Sequence, residues 1–242
     1  MSTTPIGEIV QCSASRFIAQ CVDVPRPVTP RLYDPPPLGS LVKAVIRGEG
    51  RRLPLPVEAP AERDPFADSF SPNNASVSWS SEVSFAYALV CGSETTTLDA
   101  GRRPAALGYG DEEEMLMQQP QISELLRTEF TAHVVGHVLA EDGRIRRYLP
   151  DCGPRIHSPV YPCTPEEALS LTADLTFLRS AFQFAGSSRD DVAIDDVVSA
   201  CLRRTASLHP NPDGYLRAAA RSLAILLPGE YNRLQFIIRS LQ

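Results

Sequence analysis

Two kinds of hydrophobic periodicity divide the chain at Thr164, and this division limits the folds open to it. Before Thr164, apolar residues come in short β-prone runs separated by turn residues. After it, they recur at spacings of three and four, as on helices buried along one face. Strands gathered in one part and helices in another predict an α+β chain or two subdomains, not a doubly wound parallel sheet.

The runs place the elements. Strands are expected at Ile6–Cys12 and Phe17–Val24 around a Ser13-Ala14-Ser15 turn, and at Leu41–Ile46 after Gly39. Between them Pro25, Pro27, Pro30 and Pro35–Pro37 rule out a helix or a central strand. Residues 48–76 are rich in proline and polar groups and bury too little to order themselves, so a flexible insertion is expected. Strand character returns at Val83–Cys91, Ala105–Tyr109, Phe130–Leu139 and Ile156–Tyr161. Arg144–Leu149 can pair back across Glu141-Asp142-Gly143. A short helical insert is expected over 111–127, opened by Glu112-Glu113-Glu114 and restarted at Pro120.

Thr164-Pro165-Glu166-Glu167 is a helix start: an N-cap threonine, proline at the first position and glutamate three residues on. Ala168, Leu171, Leu175, Leu178 and Phe182 form its stripe. Further helices are expected near 190–208, from Asp213 to the break at Pro228-Gly229, and through the stripe Tyr231, Leu234, Ile238 and Leu241.

Composition narrows the chemistry. Lys43 is the single lysine beside 22 arginines, and it lies between Val42 and Ala44. A Walker A loop needs a lysine after glycine, so P-loop ATPase or kinase activity is excluded. A net charge of −6 without a basic face gives no footprint for phosphates, so direct nucleic-acid binding is not expected, although a nucleic-acid-processing accessory role is a further alternative. No apolar run is long enough to span a membrane, and Met1–Val10 lacks the features of a signal or transit peptide. The expected compartment is the cytoplasm, with six reduced thiols.

Gly-x-Ser-x-Gly is absent. The chemical alternative is a zinc-dependent hydrolase. His133 and His137, four apart, would share a strand face, with Cys152, His157 and Cys163 nearby as further donors. Val134 stands where a zinc-protease helix would carry its glutamate.

Ile6-Gly7-Glu8-Ile9-Val10, Phe17 and Pro36–Ala44 resemble the opening of the HAS-barrel, the small β-barrel preceding HerA-type DNA-pumping ATPases and rotary ATP-synthase head subunits. Gly101–Pro104, Glu112–Arg127, Phe130–Gly136 and Pro159–Glu167 resemble standalone bacterial forms of it, notably cyanobacterial ones. The resemblance implies a small N-terminal antiparallel β-barrel over 1–163, followed by a C-terminal helical bundle over 164–242 in place of the family's P-loop domain. It implies a non-enzymatic assembly adaptor without cofactor, docking on a protein partner such as an ATPase subunit or large complex, with self-association a further expectation. Candidate partner-binding residues are Arg102 and Arg103 near the barrel-to-helix junction, and Tyr231 and Arg233 on the last helix.

Overall fold

The computed structural model describes residues 4–22, 34–46, 83–99, 104–183 and 192–241. The insertion expected at 48–76, most of the proline-rich connector, and Arg102 and Arg103 lie outside these residues.

Strands buried on one face or on both build the first half. Strands β1 (Gly7–Cys12), β2 (Arg16–Cys21), β3 (Leu41–Ile46) and β4 (Ser84–Thr97) precede two short helices, α1 (Glu112–Gln118) and α2 (Ile122–Leu125). Then follow β5 (Leu126–Val138), β6 (Ile145–Arg146) and β7 (Pro159–Pro162). The sheet order is β2-β1-β7-β3-β4-β5-β6, and β2 also pairs with β5. That extra pairing closes six antiparallel strands into a barrel, leaving β6 as a short flap on the end of β5.

A six-stranded barrel has a narrow interior, and side-chain size fits it. Ala19, Ala44, Ala86, Ala88 and Ala132 line it beside the larger Phe17, Phe130, Ile9 and Val42. The alternate residues Leu41, Tyr87, Leu89 and Cys91 point out of the barrel into a second core shared with the helices.

The helical half is α3 (Pro165–Thr172), α4 (Phe177–Gln183), α5 (Ile194–Ala206), α6 (Pro212–Leu226) and α7 (Tyr231–Ser240). Thr164 and Glu167 form the expected reciprocal capping box at the start of α3. The α+β arrangement, with the barrel N-terminal and the helices C-terminal, is therefore as read from the sequence.

Four details differ from the expectations. Ala105–Tyr109 is not a strand, and β4 instead continues to Thr97 by pairing with Leu126–Thr131. The stripe from Thr164 to Phe182 is two helices, broken at residues 173–176. Ile237 is the fully buried residue of α7, whereas Tyr231 and Ile238 face solvent. Leu234 and Leu241 pack against the core as expected, and Ile237 rather than Ile238 stands between them.

Helix α5 presses against the turn before β3. Gly39 has φ +74°, and a Cβ there would stand 2.5 Å from the Cys201 backbone nitrogen and 2.7 Å from Ala200 Cβ. Arg204 Nε donates to the Leu38 carbonyl at 3.1 Å in the same contact. Gly39→Ala meets both a disfavoured backbone conformation and backbone overlap, for an expected loss of about 2–4 kcal/mol. Denaturant titration measures it; an unchanged midpoint would refute this account of the barrel–helix contact.

Candidate functional site

The five histidine and cysteine side chains considered as metal donors do not converge. Cross-strand partners share a sheet face. His133 stands opposite Leu89, and His137 opposite Ala86. Leu89 belongs to the outer core and Ala86 to the barrel interior, so the two histidines take opposite faces. The cause is a bulge: Ala88 pairs with Val134 and Tyr87 with Gly136, leaving Val135 as an extra residue. The expectation that these histidines share a face is thereby corrected. His157 adopts φ +67° on the surface and contacts the Glu8 carboxylate through Nδ1. Cys152 is exposed, while the Cys163 thiol is pushed well above its ordinary pKa by burial and then by the Glu167 charge. Among the described residues, no three His, Cys, Asp or Glu side chains gather in a metal-binding group.

Lys43 serves the scaffold. Its Nζ lies 2.5 Å from Glu167 Oε1 and 4.9 Å from the centre of the Phe85 ring. Arg233 is similarly engaged. It forms a forked pair with Asp195 at 2.8 and 3.0 Å, a third bond to Glu230 at 2.5 Å, and a stack over Phe182. These contacts tie α7 to α5 and hold its guanidinium pKa above the ordinary value, chiefly through the Asp195 hydrogen bonds. Of the expected partner-binding side chains, Tyr231 stands open to solvent, with 80% of its surface exposed.

A concave surface lies elsewhere among the described residues. A groove of about 940 Å³ runs between the 145–149 segment, the 173–176 break with α4, and the end of α6. Its wall is held by Arg147, whose Nε and Nη2 donate to the Leu171 and Ser170 carbonyls at 2.8 and 2.6 Å, capping the C-terminal end of α3. Ser180 Oγ donates to the Arg147 carbonyl at 3.1 Å and fixes α4 to the same segment. Arg146 forms a forked pair with Asp142, which lies behind it on the turn. Arg179 remains exposed with no ion pair to any described residue. Tyr148 and Ile225 open onto the groove with 59% and 79% of their surfaces exposed, and Leu175 and Leu226 complete its apolar lining.

Such a surface can hold an apolar side chain against Tyr148 and Ile225 while a carboxylate meets Arg179. Sequence reading missed it. Arg146-Arg147 was visible, but the 173–176 break was not, and no local pattern places residues 145, 179 and 225 together. The chain matches no protein-family model and no curated protein.

At the barrel end, the Tyr148 carbonyl accepts from His137 Nδ1 at 3.0 Å, and the two rings meet edge to face. Burial lowers the pKa of His137, with the Tyr148 carbonyl acting in the opposite sense. His209, stacked on Tyr215 beside Thr172, is also lowered by burial. Both folded pKa values lie below the unfolded value of about 6.5, so the unfolded chain takes up these protons first as pH falls. The corresponding stability is complete above about pH 6.5 and diminishes below it. Denaturant midpoints should fall between about pH 7.5 and about pH 5.5, and His137→Gln should reduce that fall. An undiminished pH dependence in the variant would remove His137 from this explanation.

Proposed function

We propose that this protein is a non-enzymatic docking module, an assembly adaptor that captures a protein partner in the groove between the 145–149 segment, α4 and α6. One observation carries the reading: Tyr148 and Ile225 lie open to solvent in a concave surface beside the exposed guanidinium of Arg179. Aromatic and arginine side chains are the residues most enriched at protein interfaces, and grouped exposed apolar side chains mark interaction surfaces. Two of the groove's hydrogen-bonding side chains are committed to the scaffold: Arg147 caps α3, and Ser180 binds the Arg147 carbonyl. Its shape therefore comes from rigid elements, which lowers the ordering cost of binding.

The HAS-barrel resemblance supports the choice of partner: a separate ATPase chain, or the complex it belongs to, with the helical half of this protein supplying the docking surface. Tyr231, exposed on α7, is a second contact point on that half.

Affinity capture of the tagged full chain from its own host, with and without ATP, tests the proposal. The wild type should recover a defined protein partner, and Ile225→Asp or Arg179→Glu should reduce its recovery at least about tenfold, as expected for a central interface residue. Recovery unaffected by both substitutions would refute the groove as the docking surface.

A further inference from the structure

Strands β4 and β5 continue together beyond the barrel. Past the last β2 pairing, Gln20 opposite Glu129, Thr95–Thr97 still pairs with Leu126–Thr128, and the Leu98 nitrogen donates to the Leu125 carbonyl at the far end. This two-stranded arm carries α1 and α2 at its tip. Asp111 caps α1 by accepting from the Glu114 nitrogen at 2.7 Å, and Leu116 is buried beneath it. The outer surface of the tip is both apolar and acidic. Met117 has 83% of its surface exposed, and Leu98, Leu107 and Leu125 are also open to solvent. Between residues 104 and 125 the chain holds five carboxylates, at Asp111, Glu112, Glu113, Glu114 and Glu124, and no basic residue.

The groove has the complementary character. Its lining includes three guanidinium groups, on Arg146, Arg147 and Arg179, against the single carboxylate of Asp174, together with the exposed Tyr148 and Ile225. Arg146 and Arg147 have partners already, so Arg179 supplies the open charge.

The two surfaces lie at opposite ends of β5. The tip begins beyond Leu126, while β6, which leads into the groove, pairs with His137 and Val138. At about 3.3 Å per residue, the strand separates them by roughly 35 Å. An arm of three ladder positions, about 10 Å long, does not span that distance, so its own groove is out of reach.

We propose that the arm tip of one copy docks into the groove of a second copy, with Met117 against Ile225 and Tyr148, and the α1 carboxylates facing Arg179. This rests on the reading of the groove as a protein-docking surface and names its occupant. Two different patches meet, so the contact is heterologous: it leaves a free tip and a free groove and continues into a ring or a chain. Its charged component weakens with salt.

Sedimentation velocity of the full chain across a concentration series, at low and high salt, tests the proposal. The wild type should form species larger than a dimer as concentration rises, with less assembly at high salt. Met117→Asp disables the tip and Ile225→Asp the groove, and both replace exposed side chains. Each variant alone should remain monomeric. Mixed, they should form a one-to-one pair that grows no further, because one retains an intact groove and the other an intact tip. That recovery also shows that both variants are folded. A monomeric wild type, assembly that survives either substitution, or a mixture that stays monomeric would overturn the proposal. The docking reading is judged separately: partner capture lost on Ile225→Asp upholds it even where the wild type is monomeric, and capture indifferent to Ile225→Asp and Arg179→Glu refutes it.

Discussion

Five consecutive ladder positions join β2 to β5, from Arg16 opposite His133 to Gln20 opposite Glu129, and close the sheet on itself. Closure removes the open edges that a six-stranded sheet would otherwise present. It also makes the interior narrow, which accounts for the alanines on β2, β3, β4 and β5 between the two phenylalanines. Because β5 is longer than the barrel needs, it carries both the arm and β6, and so supports the acidic tip at one end and the groove at the other. The proposed docking geometry is a consequence of this strand's length.

A few interactions fasten the helices to the closed barrel. Glu167 takes part in two at once: Oε2 accepts from the Thr164 nitrogen in the capping box, and Oε1 meets Lys43 on β3. Taking an ammonium from water is costly unless a countercharge and a hydrogen-bond acceptor receive it, and Glu167 provides both. Arg147 and Arg204 repeat the principle with backbone carbonyls. One anchors the groove wall to α3, and the other anchors α5 to the turn before β3. Arginine suits these positions because its planar fork can satisfy several acceptors together.

The elements visible in the sequence were those with local chemistry. The strand Leu41–Ile46 and the start of α3 appear where the apolar run after Gly39 and the Thr164–Glu167 pair place them. Glu141-Asp142-Gly143 does turn β5 toward β6, with Gly143 at φ +63°. The extension of β4 to Thr97 was hidden because its residues beyond the barrel are polar and lack an alternating apolar signal. The facing of His133 and His137 was misread because a single bulged residue reverses strand parity. Within the α7 stripe, Ile237 was missed because it and Ile238 are equally apolar, and only packing against α5 selects one of them.

The sequence alone determined the segregation of strands and helices, the exclusion of a Walker lysine, and the positions of turns and caps. Each depends on backbone preferences or hydrogen bonds among residues a few positions apart. Tertiary structure decided the closure of the barrel, the partner of Lys43, the commitment of Arg233 to Asp195, and the groove itself. These join residues tens to more than a hundred positions apart: Lys43 and Glu167 are separated by 124 residues. The free energy of such contacts depends on burial and geometry that exist only after the barrel closes and the helices pack, so no local pattern encodes them.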